Sequence, residues 1–211
     1  MLIQGFATGA YRENAWLVSD GASAVLVDPG AEPERLLAAV RGAGASLSAI
    51  LLTHGHLDHL SALPALLAAS PGAAVHVAPG DADWCFTARN ALPPYEPVLE
   101  PPAGLARDLV EGAEIAAGPA TFRVLATPGH SPGSVCLLLE DASLPHPVLF
   151  SGDTLFAGSI GRTDFEGGSD AAMAASLRRL AALDPATAVL PGHGPATTIG
   201  RERAANPYLA R

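Results

Sequence analysis

The stretch SAILLTHGHLDHL, Ser48 to Leu60, constrains this chain more than any other part of it. An apolar run typical of a buried strand passes directly into His54, His56, Asp58 and His59. Leu60, Leu63, Leu66 and Leu67 then repeat at the spacing of a helix face packed on a core. Ionisable side chains so crowded are costly to bury. Held between a core strand and a core helix, they cannot drift away from the body of the protein. The cluster must therefore be wet or hold something.

The rest of the chain is able to build that core. Its 211 residues, 49% of them hydrophobic, with a mean hydropathy of +0.28, suit one large globular domain, read as residues 1–211. A net charge of −9 argues against a nucleic-acid partner, whose affinity comes chiefly from neutralised phosphates. All 12 basic residues are arginine, which excludes a lysine Schiff base and a phosphate-loop lysine. Cys85 and Cys136 lie far apart without metal-type spacing and read as reduced, buried thiols. The N-terminus lacks the pattern of a signal peptide. No run approaches the ~20 apolar residues of a membrane span. These features predict a cytoplasmic protein with no membrane partner.

Short apolar runs alternate with helical ones, as in an α/β protein. LIQGFAT, NAWLV and Ala24–Asp28 read as strands, and Pro33–Val40 as a helix stopped by Gly42 and Gly44. Further strands are expected at Ala73–Ala78, Thr121–Thr127, Ser134–Glu140, His146–Gly152 and Thr187–Pro191, with a helix over Asp170–Leu183. Pro79–Gly104 differs in texture, being rich in proline and carrying Trp84, Phe86 and Tyr95. It reads either as a surface excursion packing its own aromatics or as a lid over a site.

The strand ends carry the chemistry. SAILLT leads to His54, His56, Asp58 and His59, RVLATPG to His130, PVLFSG to Asp153, and AVLPG to His193. Functional groups in α/β folds gather beyond the carboxyl ends of strands. A glycine immediately before His130, Asp153 and His193 permits the turn that aims each into a shared cleft. Five histidines and two aspartates suit zinc, iron or manganese and exceed what one tetrahedral ion needs. Two ions sharing a carboxylate would use them all. In extended backbone His54 and His56 point the same way and can grip one ion, while Asp58 and His59 reach a second. His76, inside a strand, and His146, between two prolines, end no strand. Both are assigned ordinary structural roles, His76 on a solvated face.

THGHLDH resembles the HxHxDH signature of the metallo-β-lactamase fold, with TPGH, SGD and PGH following in the family's order. GDTLFAGSIGRTDFEGG and PGHGPATTIGRERAANPYL resemble segments of the small glyoxalase-II-like (hydroxyacylglutathione hydrolase-like) enzymes of that superfamily. The resemblance runs from Asn14 to Tyr208. It implies a four-layer αβ/βα sandwich with a two-metal site at one edge. His54, His56 and His130 would hold one ion, Asp58, His59 and His193 the other, and Asp153 would bridge them. Full-length glyoxalase II enzymes carry a further C-terminal helical region, whereas only 18 residues follow His193 here.

A water shared by two divalent ions, most readily zinc, is acidified toward neutrality and supplies hydroxide without a separate base. Catalytic weight falls on Asp58 and Asp153, which hold that hydroxide. A thioester suits such a site because a thiolate leaves without a strong general acid. The expected substrate is S-lactoylglutathione or a related 2-hydroxyacyl thioester. Ser131 reads as a turn residue. Arg162 and Asp164 read as an internal ion pair or as contacts for an anionic substrate, and Asn14, Tyr95 and Tyr208 as further substrate contacts. The alternatives are a persulfide dioxygenase, with one iron at the positions of His54, His130 and Asp153, a lactonase, and a metal-binding scaffold without activity. Persulfide dioxygenases carry a similar GRTDF segment, but their last motif reads more like AHD than the GHG found here.

Overall fold

The fold comes from a computed structural model, which describes residues 1–209. β1 (Leu2–Thr8) and β2 (Glu13–Ser19) form an antiparallel hairpin, and β3 (Ser23–Val27) adds antiparallel to β2. The chain then crosses through α1 (Pro33–Gly42), so that β4 (Ser46–Leu51) lies parallel to β3. It crosses again through α2 (Leu63–Ala69), leaving β5 (Ala74–His76) parallel to β4. A short α3 (Pro79–Ala82) and a long excursion lead to the second sheet. There β6 (Glu114–Ala117), β7 (Ala120–Ala126), β8 (Val135–Leu139) and β9 (Val148–Gly152) form an antiparallel meander. A small hairpin, β10 (Leu155–Phe156) and β11 (Ser159–Ile160), precedes α4 (Asp170–Leu180). β12 (Ala188–Pro191) returns parallel to β9, and β13 (Thr197–Thr198) pairs antiparallel with it before α5 (Ile199–Ala205).

Alternation along the strands decides the layering, because successive side chains point to opposite faces. In the first sheet Leu26, Ile50 and Leu17 pack with Leu36 of α1 and Leu63 and Leu66 of α2. Their neighbours Val25, Val27 and Leu51 face the other way and meet Phe122, Val124, Leu137 and Phe150 of the second sheet. On that sheet's far face Cys136, Leu138 and Leu149 pack beneath Met173, Leu177 and Leu180 of α4 and Ile199 of α5. The result is a helix–sheet–sheet–helix sandwich, which is the expected four-layer architecture. β8 and β9 are buried on both faces, which is why they read as apolar runs without polar alternation.

Several boundaries differ from expectation. α4 stops at Leu180, and Ala182 and Leu183 close i→i+3 turns onto Arg179 and Leu180, since the residue before Pro185 disfavours helical backbone. β6, β13 and the β10–β11 hairpin went unread, being two to four residues long. His76 is not on a solvated face: only 13% of its side chain is exposed, and its Nδ1 lies 3.0 Å from the Asp108 carboxylate. Among the described residues no helix is long and apolar enough to cross a membrane.

Phe150 is fully buried between the sheets. Phe150→Ala is expected to cost about 3–5 kcal/mol, read as a lowered midpoint in urea denaturation. Leu99, 61% exposed, should tolerate alanine within about 0.5 kcal/mol.

Candidate metal centre

Four strand ends converge at one edge of the sandwich. Beyond β4, His54 and His56 leave extended backbone, and a single 3₁₀ turn over Leu57–His59 brings in Asp58 and His59. His130 follows β7, Asp153 follows β9 and His193 follows β12. Glycine is required at two of these exits. Gly152 sits at φ +47°, and a Cβ there would lie 2.3 Å from the Thr53 hydroxyl oxygen. At Gly192 a Cβ would fall 2.4 Å from Asp153 Oδ1 and 2.6 Å from the His59 ring. The chain therefore passes close enough to deliver His193 beside both.

The structure brings the potential ligand atoms of His54, His56 and His130 within 4.8 Å of one another, and likewise those of Asp58, His59 and His193. Asp153 stands between the groups. Its Oδ1 is 3.5 Å from His59 Nε2, and its Oδ2 is 3.5 Å from His130 Nε2 and 3.7 Å from His193 Nε2. Asp58 Oδ2 lies 3.3 Å from His193 Nε2.

Hydrogen bonds on the far side of three rings set which nitrogen is bare. His130 Nδ1 lies 2.7 Å from the carbonyl oxygen of Arg162, an acceptor only, so Nδ1 carries the proton. His59 Nδ1 likewise donates to Asp28 Oδ2 at 3.1 Å. Thr53 Oγ1 gives its proton to Asp28 Oδ2 at 2.6 Å and so accepts from His54 Nδ1 at 3.1 Å. Each ring thus turns its Nε2 inward. His54 Nε2, His59 Nε2 and Asp153 Oδ1 are buried with no hydrogen-bond partner. Imidazole nitrogens and carboxylate oxygens with unpaired lone pairs are the donor chemistry of zinc, iron or manganese sites, and these residues fit such ions.

Charge is distributed unevenly over the cluster. Burial, reinforced by His130 and His59, holds His56 down to about 3, and burial with its histidine neighbours holds His54 well below the usual imidazole range. Burial would also depress His59, but Asp58, Asp153 and Asp28 outweigh it and raise the ring well above its ordinary value. Burial would raise Asp58, yet His59 and His193 bring it to about 2, so it is a carboxylate throughout the neutral range. Glu13, fully buried with Oε1 unpartnered 3.8 Å from His59 Nδ1, is pushed well above the carboxylate range by burial, despite His59.

A metallo-beta-lactamase superfamily model matches residues 8–193. The chain belongs to that superfamily. It is 36% identical over 203 residues to a probable metallo-hydrolase, YqgX, of Bacillus subtilis, covering 95% of this chain and 94% of that one. It is 33% identical to the hydroxyacylglutathione hydrolase GloC of Haemophilus influenzae, with 99% and 98% covered. Among solved structures, the BLEG-1 B3 metallo-beta-lactamase superposes with a TM-score of 0.88 at 34% identity over 100% of both chains. TTHA1623, in a di-iron-bound form, superposes at 0.79 with 42% identity over 98% of this chain and 100% of that one.

Around the metallo-beta-lactamase superfamily site lie supporting groups that the sequence did not reveal. Asp28, in left-handed backbone at φ 50°, accepts from Thr53 N at 2.7 Å as well as from Thr53 Oγ1 and His59. Asp81, fully buried, accepts from Gly55 N at 2.8 Å, Ser131 Oγ at 2.6 Å, Gly133 N at 2.7 Å and Trp84 Nε1 at 3.2 Å. It thereby ties the His54–His56 loop to the His130 loop. An Asp ending the apolar run SAVLVD was the available signal for Asp28; Asp81, inside the proline-rich excursion, offered none.

Several expected substrate contacts have other partners. Asn14 Nδ2 donates to the carbonyls of Pro191 at 3.0 Å and Gly194 at 2.8 Å, clasping the His193 loop. The Tyr95 hydroxyl accepts from Ala10 N at 2.8 Å, and its ring packs on the first core layer. Tyr208 is exposed and does not line the cleft. Arg162 does line it, but its pair with Asp164 is exposed and not internal. Ser131 is buried against Asp81. The cleft, about 900 Å³, is walled by Trp84, Leu92, Phe156 and Phe165, with Tyr11 and Arg89 at its margin. The residues 79–104 excursion thus forms one wall with Trp84 to Leu92, while Phe86 is buried in the core. Burial raises the thiols of Cys85 and Cys136 to about 12 and about 11, and neither lines the cleft.

Asp81→Ala would strand the buried donors of Gly55, Ser131 and Gly133. A loss of about 3–5 kcal/mol is expected in urea denaturation, with reduced metal content on elemental analysis. A second expectation concerns acid. His56 titrates near 6.5 when unfolded and about 3 when folded, so the unfolded chain binds more protons between those values. The stability that a neutral His56 permits is present above about 6.5 and lost as pH falls toward 3. In chelator-treated protein, His56→Gln should gain stability relative to wild type across that window, measured by thermal melts at a series of pH values.

Proposed function

We propose that this protein is a metal-dependent hydrolase of thioesters, acting on S-lactoylglutathione or a related 2-hydroxyacyl thioester. One observation carries the reading: two groups of inward-facing donors meet at Asp153, with three unpartnered atoms among them, on the floor of an aromatic cleft. Similarity to a hydroxyacylglutathione hydrolase over nearly the whole chain supports the thioester. His54, His56 and His130 would hold one divalent ion, Asp58, His59 and His193 a second, with Asp153 shared. Zinc suits the donors, and so does iron.

When bound, such ions supply a water acidified toward neutrality and a Lewis acid for the carbonyl oxygen. The chain's own residues do the rest. Asp28, Thr53 and the Arg162 carbonyl keep the Nδ1 protons of His59, His54 and His130 turned away from the cleft. Asp58, ionised at neutral pH, is an anionic donor and not a proton source. Trp84, Phe156 and Phe165 give the cleft apolar walls. No general acid is needed, because a thiolate departs unprotonated. The substrate is a small molecule, and a chain of net charge −9 offers no polyanion surface. Two buried, unpaired thiols fit a cytoplasmic setting.

His193→Ala is expected to keep its fold by circular dichroism yet lose roughly 10²-fold or more in kcat for thioester hydrolysis. Elemental analysis should find up to two ions per wild-type chain, and fewer in the variant. Wild type should consume no oxygen with glutathione persulfide. Oxygen consumption by wild type that survives in His193→Ala would instead establish one iron at His54, His130 and Asp153.

A further inference from the structure

The cleft above the metal centre says more about its substrate, on the premise that the hydrolase reading holds. Trp84 lies 5.3 Å from the His56 ring on one wall. Phe165 lies 5.0 Å from His56 and 5.9 Å from His130 on the other, and Phe156 is 6.0 Å from His193. Leu92 and Pro132 continue the apolar lining. Phe165 remains 37% exposed, a large apolar ring turned toward the opening. A group bound between these rings loses apolar surface to aromatic faces on both sides.

The mouth offers anions little. Arg89 and Arg162 are the arginines of its lining, and each already faces a carboxylate. Arg89 pairs with Glu166. Arg162 makes two contacts with Asp164, at 2.6 and 2.7 Å, while its guanidinium lies 4.2 Å over the Phe165 ring. The chain has no lysine to add. A carrier bearing several carboxylates must therefore displace Glu166 or Asp164, or remain unpaired.

We propose that this cleft selects thioesters whose bulk is apolar and uncharged over those carried by a carboxylate-bearing thiol such as glutathione, and that Glu166 contributes to this preference by occupying Arg89. The pair is exposed, so its effect is modest and screened by salt. The aromatic walls supply the larger discrimination, because an apolar group seated in a fitted pocket changes kcat/KM by ten- to a hundredfold.

The test uses four thioesters: lactoyl and phenylacetyl groups, each on glutathione and on the uncharged thiol N-acetylcysteamine. With metal-loaded wild type, phenylacetyl should exceed lactoyl in kcat/KM by about tenfold or more on either thiol. S-Lactoylglutathione should show the highest KM of the four. Phe165→Ala should shrink the phenylacetyl advantage. Glu166→Gln should raise kcat/KM for the glutathione thioesters relative to their N-acetylcysteamine counterparts by roughly three- to fivefold, through KM, with the gain vanishing in high salt. A preference for S-lactoylglutathione over S-phenylacetyl-N-acetylcysteamine overturns the proposal while leaving the hydrolase reading intact. So does a Glu166→Gln effect equal on both thiols. Cleavage of none of the four overturns the hydrolase reading itself.

Discussion

Seven imidazole and carboxylate side chains crowd one edge of the sandwich, and three of their buried atoms have no partner in the protein. Each unpartnered buried atom costs about 1–3 kcal/mol. Burial, reinforced by neighbouring imidazoles with ring centroids 4.1 to 5.0 Å apart, holds His54 and His56 neutral. Such a cluster persists only where the surrounding structure leaves the side chains nowhere else to go. The two apolar sheets and their helices provide that confinement. The cluster is therefore costly in isolation, and bound cations would relieve it, coupling metal binding to stability.

Within that confinement a few buried polar groups fix the orientation of the cluster. Asp28 joins the ends of β3 and β4 through Thr53 and fixes His59. Asp81 joins the first half of the molecule to the second, since Gly55 belongs to the loop after β4 and Ser131 and Gly133 to the loop after β7. Asn14 closes the ring by clasping the backbone around His193. Oriented dipoles and N–H donors thus hold the metal-facing groups from behind, leaving their front faces for chemistry. The aromatic walls, contributed by the residues 79–104 excursion on one side and the Phe156–Phe165 region on the other, then shape what reaches them.

How much was legible in the sequence depended on how local the cause was. The long strands and main helices were readable because periodicity 2 and 3.6 are written residue by residue, and β8 and β9 announced double-sided burial by apolar runs without polar alternation. β6, β13 and the β10–β11 hairpin were not, since they contain too few alternations to register and lack the apolar runs that marked the equally short β5 and β12. The gathering of His54, His56, Asp58, His59, His130, Asp153 and His193 followed from reading strand ends together. Asn14 and Tyr95, read as substrate contacts, bond backbone groups in the fold, and residues that bond backbone carbonyls or amides look the same in sequence as those facing a ligand.

The sequence by itself determined the layered α/β core, the superfamily and the identities of the residues beyond four strand ends, because each rests on patterns that neighbouring residues carry. Only the tertiary structure decided which ring nitrogen each histidine presents, that Asp28 and Asp81 stand behind them, and that Glu166 already matches Arg89. These are properties of pairs as far apart as Asp81 and Gly133 or Arg89 and Glu166. Hydrogen bonds and ion pairs depend on distance and direction in space, and no local periodicity encodes them.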